Sequence, residues 1–358
     1  MSSNQSRLSD DLTVMSQNPL VAGISLGSME DLVTPSETFF VRNHFPIPQL
    51  EASNWSLSVG GEVERPGSLD LGALKQMPRK ELLVLMECAG NSRASVQPPI
   101  EGLLWDSGGV STARWGGVTL ASVLEQAGML DGAVEVLLEG ADRGTDRGFD
   151  GELGFAASLP MEKALHPDTI LAYEMNGESL SPEHGYPLRA VVPGWFGMAS
   201  VKWLTGIRVL KEPFWGFHQS DYYVYVTEGL DDGAPRERVT SMQVKSFVTS
   251  PGRGQYLPVG RHEIRGNAWA GHGPVTKVEV STDDGATWKP ANLKDSESPY
   301  AWRQWRFDWD ASQPGFYLVR SRATDQLGNV QPIKAQWNFR GFANDSIHSV
   351  PVRIRASG

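Results

Sequence analysis

The sequence predicts an α+β protein in two parts: a mixed α/β domain followed by an all-β sandwich of immunoglobulin-like shape. Three observations carry this reading. A chain of 358 residues is long for one core and short for three. Helix and strand patterns mix between about residues 50 and 210, and helical patterning stops after about residue 240. Between these regions lies "EGLDDGAPRER", polar and rich in turn formers, as a linker requires.

In chain order, "NWSLSVGGEV" and "ELLVLME" read as strands. "VTLASVLEQAGML" reads as a helix, because Leu120, Val123, Leu124 and Ala127 repeat at helical spacing between Thr119 as N-cap and Gly128 as terminator. "VEVLLEG" returns to strand, and "SLPMEKAL" predicts a short helix with Ser158 as N-cap and Pro160 in its first turn. Later, "SFVTSP", "HEIRGNAWA", "VTKVEVSTDDGATWKPA", "AWRQWRFDWD", "FYLVRSRATD" and "QWNFRG" read as short strands, with Asp283, Asp284 and Gly285 forming a hairpin turn. The chain therefore divides into a polar N-terminal segment (1–34), a first domain (35–235) and a sandwich domain (236–358).

Composition narrows the function. The formal charge is −10, from 32 basic and 42 acidic residues, which argues against a nucleic-acid partner. No apolar run reaches the roughly 20 residues of a membrane span, and the polar start shows no Sec or twin-arginine signal. The expected compartment is the cytoplasm, or the periplasm if an export signal was removed. "GRGQYLPVG" lacks strand–turn–helix context and is not read as a dinucleotide site.

Cys88 is the only cysteine. A free cysteine commonly packs as a small hydrophobe. Cys88, however, ends a strand and opens the turn "CAGN", an address where functional groups are displayed. A thiolate there could act as nucleophile or soft metal ligand. No nearby histidine supports a cysteine protease, and no His or Cys cluster supports zinc. One thiolate suffices if another molecule brings the remaining ligands.

"ECAGNSR" followed by "GLLWDSGGVSTARWGGVTL" resembles the cysteine segment of the sulfite oxidase family of molybdenum enzymes. "FFVRNHFPIP" and "ILAYEMNGESLSPEHGYPLRAVVPGWFGMASVKWL" resemble two cofactor-binding segments of that family, and "AWRQW" and "QPIKAQWNFRG" are similar to its C-terminal domain. The resemblance runs in the family's order from about residue 35 to the end. It implies a molybdopterin-binding domain, a dimer-forming sandwich, and oxidation of sulfite to sulfate by oxygen-atom transfer at a molybdenum centre ligated by Cys88. It places Arg42, Arg93 and Arg303 around the anionic substrate, with Trp105 in the pocket wall. It places Tyr222 near the reacting groups, where Tyr223 is a rival. Arg42, Asn43, His44, Asp142, His184, Arg189, Ser200 and Lys202 would contact the pterin cofactor beside Cys88. Fixed cations suit this chemistry, since arginine offers planar donors to an oxyanion.

Ser92 stands where many members carry a second basic residue, and one cysteine cannot attach a CxxCH haem. The reading therefore expects no haem in this chain and an external acceptor, cytochrome c or oxygen. Its alternatives are a related molybdenum enzyme (a sulfane-sulfur dehydrogenase, a nitrate or a sulfoxide reductase) or a non-catalytic dimeric binding protein of the same fold. Arg93 argues against the nitrate branch.

Overall fold

The computed structural model describes residues 8–227 and 236–356. Most of the expected linker falls in 228–235, outside the described residues. Each of the two parts has its own sheets.

The first part holds two five-stranded sheets. In one, Lys80–Glu87 pairs antiparallel with Val110–Thr119, which pairs with Ile170–Met175; Arg189–Val191 joins the last strand. In the other, Leu204–Leu210 lies between Leu57–Gly61 and Glu135–Gly144, and the latter continues to Leu153–Pro160. The helix Leu120–Ala127 forms as the sequence predicts. Its periodic residues are all buried, the Thr119 hydroxyl accepts from the Ser122 amide, and Gly128 closes it at φ 70°. Such a cap contributes about 1 kcal/mol.

Residues 8–34 are more than a polar leader to this domain. Thr13–Gln17 and Leu20–Gly23 build a three-stranded sheet with Val41–Arg42, and Val21, Ala22 and Ile24 are buried. Pairing to Val41–Arg42 thus positions the segment that begins the site. Ser158 is also corrected. It sits in the strand Leu153–Pro160 and bonds Glu135 Oε2 at 2.6 Å, while the helix Met161–Ala164 starts after Pro160. Cross-strand pairing outcompetes the capping role.

The second part is a β-sandwich. Lys245–Ser250, Gly260–Trp269, Arg303–Ala311 and Asn292–Leu293 form one sheet. Tyr256–Pro258, Ser349–Arg355, Gly315–Asp325, Val275–Ser281 and Lys289–Pro290 form the other. Ile264, Val278, Trp305, Val319 and Val352 pack between them. The hairpin at 283–285 has Asp284 at φ 61° and Gly285 at φ 90°, the left-handed conformation such turns need.

"QWNFRG" is not a strand. The segment leaves the sandwich and lies over the first part: the Phe339 amide bonds the Val226 carbonyl at 2.8 Å, and the Ala343 amide bonds the Ala89 carbonyl at 2.8 Å. Its backbone hydrogen bonds go to the other domain instead of a sheet partner. The second domain also covers the free edge of Lys80–Glu87. There the Leu85 amide meets the Tyr300 carbonyl at 2.9 Å, and the Ser298 hydroxyl donates to the Leu83 carbonyl at 2.7 Å.

Candidate active site

The strand Lys80–Glu87 is buried from Leu83 to its end, and that rigid end delivers Cys88. The Cys88 amide donates to the Gly109 carbonyl at 2.8 Å, and its carbonyl accepts from the Asn91 amide at 2.9 Å. Asn91 fixes the turn from inside, accepting from the Gly109 amide and donating to Glu87 Oε1. Glu87 is held in turn by the second domain, through Lys245 Nζ at 2.6 Å and Trp269 Nε1 at 2.9 Å. Glu87 and Lys245 are 0% and 2% exposed. A charge buried so deeply needs its partners, and here they clamp the residue before Cys88.

Cys88 faces a cleft between the two sheets' loops and the segment after Val41–Arg42. Arg42, Asn43 and His44 enter it after the strand Val41–Arg42, Asp142 from the strand Glu135–Gly144, and Arg189 from Arg189–Val191. His184, Ser200 and Lys202 come from the turns and loop around those strands. All the expected cofactor contacts therefore line one cavity.

Burial dominates its electrostatics. It pushes Arg189 down to about 9. It pulls Lys202 well below its ordinary value, aided by neighbouring Arg189 and opposed by Asp142. It lowers His184 to about 3, although the bond to the Ser36 carbonyl opposes this, and raises Asp142 to about 6 against the pull of Lys202. Desolvated cations crowded in one cleft are the signature of a site built for an anion.

The residues expected at the substrate divide. Arg93 is buried, donates to the Leu103 carbonyl at 3.0 Å and lies 5.0 Å from the centre of the Phe342 ring. Trp105 is 1% exposed and meets Phe40 edge-on, in the same apolar cluster as Cys88. Tyr223 lines the cleft, with its hydroxyl 2.7 Å from His44 Nε2. Tyr222 packs beside it, ring centres 5.0 Å apart.

Arg303 is not brought to the cleft. It begins a sandwich strand and donates to the carbonyls of Lys294 and Val275 at 3.0 and 2.9 Å, so its guanidinium is committed within its own domain. The arginine of the second domain that reaches the first part beside the cleft-lining Tyr223 is Arg340, from "QWNFRG". Its guanidinium stacks 4.7 Å from the Tyr222 ring centre and its Nη2 donates to the Asp221 carbonyl. Next to it, Gly341 at φ 56° packs against Arg93 and Phe342 stacks on Tyr223. The sequence segment was visible; its departure from the sandwich was not.

The residues fit the molybdenum cofactor. Asn43 Nδ2, Arg93 Nε, Trp105 Nε1 and Arg340 Nε are buried donors with no protein partner. Such groups are costly unless a ligand completes them. Acceptor oxygens on an anionic pterin or substrate would do so, and the soft Cys88 sulfur suits the metal.

Residues 44–218 match the model of the oxidoreductase molybdopterin binding domain, and residues 236–355 that of the Mo-co oxidoreductase dimerisation domain. Sulfite oxidase of Gallus gallus is 37% identical over 89% of this chain and 72% of its own. Mitochondrial sulfite oxidase of Mus musculus is 36% identical over 91% of this chain, which spans 62% of the mouse protein. A nitrate reductase of Brassica napus is 34% identical, with 38% of its length covered. Among solved structures, the sulfane dehydrogenase SoxCD of Paracoccus pantotrophus superimposes with a TM-score of 0.82 at 29% identity, covering 97% of this chain and 87% of that one. On this site geometry and these relatives, the chain belongs to the sulfite oxidase family of molybdopterin-dependent oxidoreductases.

Proposed function

We propose that the protein oxidises sulfite to sulfate at a molybdenum cofactor ligated by Cys88, passes the electrons to an external acceptor such as cytochrome c or oxygen, and works as a homodimer through its C-terminal domain. One observation carries this reading: Cys88 shares a single cleft with Arg42, Arg189 and Lys202 and with the unpartnered donor Asn43 Nδ2.

The cofactor, when bound, supplies oxygen-atom transfer and takes up two electrons. The chain supplies position and field. Arg189 and Lys202 would hold the anionic end of the pterin, with Asn43, His184 and Ser200 beside them. A bound anion favours the charged form of Lys202 that burial disfavours, so cofactor binding draws a proton to it. Arg42, Arg93 and Arg340 would orient sulfite, whose negative charge would otherwise be repelled. Trp105 packs in the same apolar cluster as Cys88, and the rings of Tyr222 and Phe342 pack on Tyr223, which would keep water from that wall of the cleft.

The test is sulfite-dependent reduction of ferricyanide or cytochrome c by protein of measured molybdenum content, with oxygen uptake alongside. Stoichiometric molybdenum and sulfite turnover are expected. Molybdenum-loaded protein inert to sulfite but active on a sulfane-sulfur donor would move the assignment toward the chemistry named for SoxCD. Protein that takes up no molybdenum would leave only the binding-protein alternative.

A further inference from the structure

His44, which lines the cleft, clusters with Asp146 and His218, with their ligand atoms all within 4.8 Å of one another. Two hydrogen bonds and one close ion-pair contact join them to Tyr223 in one line. Tyr223 Oη, in the cleft, lies 2.7 Å from His44 Nε2. His44 Nδ1 lies 3.4 Å from Asp146 Oδ2, and His218 Nε2 lies 3.2 Å from that same oxygen. The side chains of His44 and His218 are 7% and 4% exposed, whereas Asp146 is 16% exposed and reaches solvent. Phe155 stacks on His44 with ring centres 5.2 Å apart and also contacts His218, so the line is sheathed in aromatic carbon.

We propose that Tyr223, His44 and Asp146 form a proton relay from the Cys88 cleft to solvent, with His218 as the positioning residue for Asp146. The inference rests on the sulfite reading above. Sulfite and water give sulfate, two protons and two electrons; the electrons go to the external acceptor, and the protons must leave the cleft for solvent. A carboxylate can only accept, so His44 Nδ1 carries a proton toward Asp146, leaving Nε2 to accept from the Tyr223 hydroxyl. As Tyr223 takes a proton from water in the cleft, its own passes to Nε2, the Nδ1 proton passes to Asp146, and Asp146 releases it to solvent. A flip of the imidazole restores the tautomer.

The charges facing the line favour passage over storage. Burial and the adjacent Arg42, whose Nη2 is 3.4 and 3.5 Å from the two ring nitrogens, hold His44 far below its ordinary value against the pull of Asp146. Burial works to raise Asp146, but bonds from His218 and His44 hold it well below the usual carboxylate range. Tyr222 is the remaining titratable neighbour, edge-on to His44. A proton entering the line therefore has no resting place within it.

The test has two readouts. Nitrogen-15 histidine NMR of the whole chain without cofactor should show His44 as the Nδ1–H tautomer, with Nε2 losing its hydrogen bond in Tyr223→Phe. In the molybdenum-loaded protein, Asp146→Ala should lower kcat on the order of a hundredfold with KM for sulfite little changed, and formate or imidazole buffer should restore much of the rate. Tyr223→Phe should fall similarly without rescue. An Nε2–H tautomer, stoichiometric zinc on the cluster, or an unchanged or unrescued Asp146→Ala rate would overturn the relay. Wild-type protein inert to sulfite would instead sink the substrate reading, while the tautomer would still decide the direction of the relay.

Discussion

Replacing Lys245 by methionine tests how the second domain holds the active-site cysteine. The Lys245 ammonium lies 2.6 Å from Glu87 Oε1, and both side chains are within 2% of complete burial. Breaking a buried pair by deleting one partner costs about 3–5 kcal/mol. Asn91 and Trp269 still donate to Glu87 in the variant, each bond contributing about 1 kcal/mol, so the expected loss is near the lower end, about 3 kcal/mol. Urea denaturation of Lys245→Met, Glu87→Gln and the double variant would measure it. The double variant should recover at least about 1 kcal/mol of the summed single losses, because no uncompensated charge remains. Because Glu87 precedes Cys88, Lys245→Met should also retain less molybdenum than wild type. A single-variant loss below about 1 kcal/mol, or a coupling near zero, would refute the clamp.

Two other predictions concern substrate and pH. Arg340→Met should weaken use of sulfite, raising KM or lowering kcat/KM about tenfold to a hundredfold as a charge-assisted bond is lost. Arg303→Met should leave kcat/KM within about twofold, since that guanidinium only ties sandwich carbonyls; the reverse pattern in steady-state kinetics would restore Arg303 to the site. His184 is buried neutral, with its folded value lowered to about 3. The unfolded chain binds its proton first, so this contribution is present above about pH 6.5 and is lost as pH falls toward 3, by up to about 1.4 kcal/mol per unit. In cofactor-free protein, His184→Gln should flatten that acid slope in urea titrations, although Asp142, raised to about 6, contributes with the opposite sign in the same window.

Local signals made much of this structure legible. The helix at 120–127 was written in its spacing and caps, and the position of Cys88 in an apolar run that stops at a turn. The residues expected to contact the cofactor were readable as candidates because they sit in continuous segments resembling one family, and they line one cleft. What was hidden depends on contacts between distant segments. "QWNFRG" has the texture of a strand, yet the Phe339 bond to Val226 and the Ala343 bond to Ala89 carry Arg340 onto the Tyr222 ring. "AWRQW" really is mostly strand, and Arg303 stays in the sandwich for that reason. Ser158 looks like a cap until Glu135, 23 positions earlier, claims its hydroxyl. Neither the Glu87–Lys245 pair nor the Tyr223–His44–Asp146 line has any spacing in sequence that could announce it, as both are made only by packing.

The proposed function depends above all on Cys88 binding the molybdenum in this cleft. X-ray absorption at the molybdenum edge, on loaded wild-type protein and on Cys88→Ser, tests it most directly. One fewer sulfur bound to the metal is expected in the variant, together with loss of sulfite oxidation. A variant with an unchanged sulfur shell and full activity would contradict it.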